Sequence, residues 1–117
     1  MSSDWVRPVV HFEIEARDPD ALVPFYERLF NWPVGEGFIR SFPAGLGGPE
    51  PGPAGHFRRS HRSGVVLYVQ VRDLAESLAL ARELGATVTL EPLALDGGPT
   101  IAGITDPEGN PVTLVQQ

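Results

Sequence analysis

Three side chains able to take or give a proton stand at alternate positions in VVHFEIEA, residues 9–16: His11, Glu13 and Glu15. In an extended chain alternate residues share a face, so an imidazole and two carboxylates line up on one side. Such a trio could bind a divalent cation or recognise a cationic or hydroxyl-rich molecule. It could also act as a general base, with His11 tuned by Glu13, or simply face water. A second group comprises Arg40, His56, Arg58, Arg59, His61 and Arg62, a basic stretch in an acidic chain. It reads either as a solvated strand and loop or as an anion-binding wall. Tyr68 and Gln70 alternate along a later strand, where Tyr68 could donate to a developing oxyanion.

Other chemistries are removed by what is missing. There is no cysteine, which excludes disulfides, thiol catalysis and zinc–thiolate sites. All nine basic residues are arginine, so no lysine can form a Schiff base. A net charge of −6 argues against nucleic-acid or anionic-membrane partners. No apolar run reaches membrane-spanning length and no signal-peptide pattern opens the chain, so the expected compartment is the cytoplasm. Ser60-His61 has no aspartate near it in sequence and carries no triad motif. The glycines of GLGGPEPG do not stand between a strand and a helix, as a phosphate cradle requires.

The elements that must position these residues follow from periodicity. Residues 8–16 read as a strand with Val10, Phe12, Ile14 and Ala16 opposite the polar face. Asp18 is a helix cap, and Leu22, Phe25, Tyr26, Leu29 and Phe30 form an apolar stripe at helical spacing. Pro24 predicts a kink, or a helix start delayed to about Asp20. The segment 34–42 holds a strand or two, Pro43–Pro53 a loop, and Gly55–Arg59 a short strand. Val65–Val71 is a strand, with Leu67, Val69 and Val71 predicted to hold a helix. That helix is capped by Asp73, buries Leu74, Leu78, Ala81 and Leu84, and stops at Gly85. Strands are predicted at 86–91, 100–105 and 111–115, the last two joined by a tight Asp106-Pro107-Glu108-Gly109 turn. A shift of 55 residues lays Asp18 on Asp73 and Leu29 on Leu84, a duplication in pattern rather than identity.

HFEIEARDPDALVPFYERLFNW resembles the opening of the vicinal oxygen chelate superfamily, which includes glyoxalase I, bleomycin-resistance proteins and extradiol dioxygenases; Asn31 stands where the family has glycine. YVQVRDLAESLALARELGATV resembles its second strand and helix, and ITDPEGNPVTLVQ its closing turn and strand. The resemblance implies an α+β fold: a single domain of two βαβββ modules, residues 6–60 and 64–117, forming a curved open sheet around a cavity. It also implies a homodimer. The metal positions of metal-dependent members fall here on His11, on Arg58 or His56, on Val66 and on Thr113. Valine cannot ligate and arginine repels a cation, so no cofactor is favoured, although a divalent metal held by His11 and His56 stays possible.

The expected function is therefore binding of a small molecule without the usual metal, as in the bleomycin-resistance branch. The expected contacts are His11, Glu13, Glu15, Trp32, Arg58, Tyr68, Gln70 and Thr113. Of the two roles the packing one is the more expected for Trp32, and Trp5 reads as a residue at a module or dimer junction. The alternative is a glyoxalase- or dioxygenase-like enzyme, a lyase, isomerase or oxygenase, with His11 and Tyr68 as catalytic groups.

Overall fold

The computed structural model describes residues 6–43 and 53–116, so the expectations for Trp5 and for most of the Pro43–Pro53 loop lie outside the described residues. The class is α+β, with two βαβββ-like modules of open mixed sheet. The elements are β1 (Val9–Ala16), α1 (Pro19–Phe30), β2 (Ile39–Phe42), β3 (Ala54–Arg59), β4 (Gly64–Gln70), α2 (Leu74–Glu83), β5 (Thr87–Ala94), β6 (Thr100–Thr105) and β7 (Pro111–Gln116). They fall into two compact units: residues 11–66, and residues 67–116 together with 6–10.

In the first unit the strand order is β2-β3-β1, with β1 and β3 parallel and β2 antiparallel to β3. Parallel neighbours need a crossover, and α1 supplies it. The apolar face of β1 and β3 carries Ile14 and Phe57, which pack with Val23 of α1 and Phe42 of β2. Phe12, Leu22, Tyr26, Trp32 and Val34 close over them. Phe57 has no exposed surface, and burying a side chain of that kind contributes about 1.5–3 kcal/mol.

Helix α1 is capped by the Asp18 carboxylate, which accepts from the Ala21 N–H at 3.4 Å. It runs from Pro19 through Pro24 to Phe30 without interruption. It starts at Pro19, one residue from the start near Asp20 predicted from Pro24, with Pro19 in the first turn and the Asp18 cap fixing the entry. The apolar stripe is also rotated from its predicted position. Val23 is buried, whereas Phe25, Leu29 and Phe30 are 57%, 59% and 53% exposed. The helix ends at Asn31, whose φ of 58° and ψ of 35° are left-handed. Asparagine is among the few non-glycine residues that tolerate this conformation, which explains how it stands in for glycine.

In the second unit the order is β4-β7-β6-β5, with β4 and β7 parallel and the remaining pairs antiparallel. The Asp73 carboxylate caps α2 by accepting from Glu76 N–H at 3.0 Å. Gly85, at φ 97°, ends it as predicted. Leu74 and Leu78 pack with Val71, Ala102 and Leu114. Two predicted core positions differ. Leu84 is the C-cap and is 69% exposed, and Leu67 is 44% exposed. The helix packs on β5, β6 and β7, so only Val71 at the end of the β4 segment meets its core. Strand β5 extends beyond its predicted end at Glu91 to Ala94, with register shifts against β6. The Asp106 turn forms as predicted, with Gly109 N–H donating to Asp106 O at 2.9 Å.

Candidate functional site

Parallel pairing of β1 with β3 brings Glu13 opposite His56 and Glu15 opposite Arg58. Because side chains alternate, the polar face of β1 meets a polar face of β3, while Phe12 and Ile14 share the other side with Gly55 and Phe57. Gly55 has a steric reason to be glycine. A Cβ there would lie 2.6 Å from Phe42 Cζ and 2.9 Å from Phe12 Cζ.

The polar face is a connected chain. His11 Nε2 and His56 Nδ1 are 2.7 Å apart, and His56 Nε2 lies 2.8 Å from Glu13 Oε1. Arg58 donates from Nε to Glu13 Oε1 at 2.8 Å, and its guanidinium reaches Glu15 Oε2 at 3.0 Å. Arg62, in the connection after β3, donates to Glu15 Oε1 at 2.8 Å. Glu13, Glu15 and His56 are buried, while His11 is half-buried. A buried carboxylate is tolerated only when its oxygens are satisfied, and here both oxygens of each glutamate have donors.

Burial pushes the Glu13 carboxyl up, but hydrogen bonds from His56 and Arg58 outweigh it and bring the group down to about 2. Glu13 is therefore an acceptor-only carboxylate at neutral pH, and His56 Nε2 must carry the proton between them. Burial, and then the neighbouring His56, hold the His11 imidazole below its ordinary value, with Glu13 acting in the opposite sense.

The basic stretch is matched by acids within its own unit. Arg58 and Arg62 serve Glu13 and Glu15, while Arg40 hydrogen-bonds Asp20, with Arg59 3.8 Å from the same carboxylate. The sequence reading missed these pairings. The available signal was the alternation His56-x-Arg58 set against Glu13-x-Glu15, which becomes visible once β1 and β3 are taken as parallel partners.

Of the predicted contacts, His11, Glu13, Glu15 and Arg58 come together in the first unit. Trp32 lies elsewhere in that unit, stacked on Phe42 at 4.4 Å and on Tyr26 at 5.3 Å between ring centres. This is the packing role, not an approach to the polar chain. Tyr68 and Thr113 are opposite each other on β4 and β7 of the second unit, and Gln70 is opposite Val115.

The donor set does not fit a divalent metal in the arrangement implied by the resemblance. His11 and His56 point nitrogens at one another, the second nitrogen of His56 and both oxygens of Glu13 are engaged, and Val66 offers only hydrocarbon. Among the described residues no group of three or more histidines, cysteines or carboxylates could hold a metal ion, and such sites need three or four protein ligands.

Paired βαβββ-like modules carrying a polar strand face define a vicinal oxygen chelate fold. The chain belongs to the glyoxalase-like domain family, whose model matches residues 11–115. Its fold is similar to that of methylmalonyl-CoA epimerase from Mycobacterium tuberculosis, with TM-score 0.63 and 18% identity over 92% of this chain and 86% of that one. It is also similar to a Streptomyces coelicolor methylmalonyl-CoA epimerase variant in complex with 2-nitronate-propionyl-CoA, with TM-score 0.60 and 20% identity over 94% of each chain. A Legionella pneumophila structure described as an NAD-dependent benzaldehyde dehydrogenase matches with TM-score 0.63 and 14% identity, over 91% of this chain and 96% of that one. No curated protein matches the chain. Among the described residues no helix is long and apolar enough to cross a membrane.

Proposed function

We propose that this chain binds a small organic molecule beside His11 and Arg58, without a divalent metal in the family's usual arrangement. The observation that carries this reading is the chain Arg58–Glu13–His56–His11 on one face of the β1–β3 pair, buried at Glu13 and His56 and half-buried at its two ends. An apolar face of similar shape would build the sheet without the desolvation cost of four polar side chains. The local charge balance shifts the ligand class away from the cationic one expected from the sequence. Glu13 and Glu15 already accept from Arg58, Arg62 and His56, so an added cation gains little from them. Imidazole and guanidinium groups favour carbonyl or carboxylate oxygens. The ligands in the epimerase structures, methylmalonyl-CoA and 2-nitronate-propionyl-CoA, carry such groups and belong in a screen.

The test is a thermal-shift panel containing acyl thioesters and aromatic carboxylates on one side, and bleomycin with other cationic aromatics on the other. An oxygen-bearing ligand at 100 times its dissociation constant should add about 2.7 kcal/mol. Stabilisation by the cationic set alone would overturn the assignment and restore the acidic-site expectation.

A further inference from the structure

The other side of the first unit's sheet, the side that carries α1, holds a cavity. Arg40 is opposite Phe57 across the β2–β3 ladder, and opposite residues share a side of the sheet. Phe57 packs with Val23 of α1, so Arg40 stands on the helix side, away from His11, Glu13 and Glu15. The cavity lies between α1 and the segment that leads into β2, with a volume of about 420 Å³. Clefts that hold small molecules typically span about 300–1,000 Å³. Asp20, Val23, Pro24 and Glu27 line it from α1 at the spacing of one helical face, and Val34, Glu36 and Arg40 line it from the other side.

Three kinds of group meet there. The first is a donor. Arg40 Nε donates to Gly37 O at 3.2 Å, and Nη2 donates to the Asp20 carboxylate. These bonds hold the half-buried guanidinium in place with two of its five N–H groups and leave Nη1 for a further acceptor. The second kind is an acceptor. The Glu27 carboxylate is half-buried and makes no hydrogen bond or ion pair among the described residues. Pro24 adds a main-chain acceptor: it has no N–H, so the Asp20 carbonyl lacks the donor that a helix supplies four residues on. The third kind is the apolar wall of Val23, Pro24 and Val34. A simple cation would meet the fixed Arg40 guanidinium, and a simple anion would meet Glu27 and Glu36. A zwitterion satisfies both ends. We propose that this cavity binds a free amino acid with a branched aliphatic side chain. Its carboxylate accepts from Arg40, its ammonium donates to the Glu27 carboxylate and the Asp20 carbonyl, and its side chain lies on Val23, Pro24 and Val34. The site is separate from the polar face of β1 and does not depend on a ligand there.

A two-dimensional proton–nitrogen NMR titration with L-leucine reads both place and affinity. Expected are saturable shifts at the amides of Val34, Gly35 and Gly37 and at those of α1 around Val23 and Glu27. Isocaproate lacks the ammonium and isoamylamine lacks the carboxylate. Each should bind about tenfold more weakly than L-leucine, because each leaves one charged group of the cavity without its hydrogen bond. Arg40→Gln should weaken L-leucine by a similar factor, but it also breaks the pairing with Asp20 and can disturb folding. Glu27→Gln is free of that objection, since the Glu27 side chain holds no other group. It should weaken L-leucine by about tenfold with the thermal midpoint unchanged. Absence of saturable shifts at these amides, equal affinity for isoamylamine or isocaproate, or an L-leucine affinity indifferent to Glu27→Gln would each overturn the assignment.

Discussion

Glu13 is the residue on which the polar face turns, and its protonation should govern acid stability. Its folded value of about 2 lies below the ordinary 4.5. The unfolded chain therefore binds its proton first, and the group stabilises the fold above about pH 4.5. That contribution, about 3 kcal/mol at neutral pH, is lost as pH falls towards 2. His11 acts in the same direction, because its folded value is lowered by burial and by His56. Protonation favours the unfolded chain once pH falls below about 6.5. Urea melts from pH 7 downward should show stability declining first through the histidine range and again below pH 4.5. A Glu13→Ala variant should lose about 3 kcal/mol at pH 7, because it removes the carboxylate that buried His56 donates to and one of the two that Arg58 serves, and should show a smaller second decline. A profile flat between pH 5 and 2.5 would contradict this account. At this scale the sequence showed which β1 side chains share a face, since alternation is local. It did not show their partners, because Glu13 meets His56 across 43 residues and only the register between strands reveals it.

At the scale of elements, caps and turns were legible because their chemistry is short-range: Asp18, Asp73, Gly85 and the Asp106 turn all stand where the sequence placed them. The buried stripes were less so. Periodicity locates an apolar arc on a helix, but the sheet beneath decides which part of the arc is covered, and Val23 rather than Phe25 or Leu29 faces the core. The close approach at Gly55 likewise has no local signal. The backbone of β3 passes beneath the Phe12 and Phe42 rings, whose centres are 5.5 Å apart. Gly55→Ala should therefore cost about 1–3 kcal/mol through overpacking. The expected readout is a lower thermal midpoint, and an unchanged or raised midpoint would show that both rings can yield.

At the scale of the molecule, the duplication seen at a shift of 55 residues survives as repeated topology: a helix crossover leads to a parallel pair in each unit, β1 with β3 and β4 with β7. The family match over residues 11–115 takes in both. Assembly between chains was expected from resemblance alone, and the exposed Phe25, Leu29 and Phe30 supply apolar area for a second surface to cover. Light scattering at micromolar concentration should return twice the 12.7 kDa chain mass. A monomer would remove the homodimer expectation.

The 43-residue span between Glu13 and His56 has a kinetic consequence. Contacts so distant along the chain form only after a large loop has closed, which slows the search for the native topology. Until then Glu13 and Glu15 are hydrated and repel one another, and nothing local rewards their alignment. Guanidinium-jump experiments should accordingly find substitutions at these positions altering the unfolding rate far more than the folding rate, because their partners arrive after the barrier has been crossed.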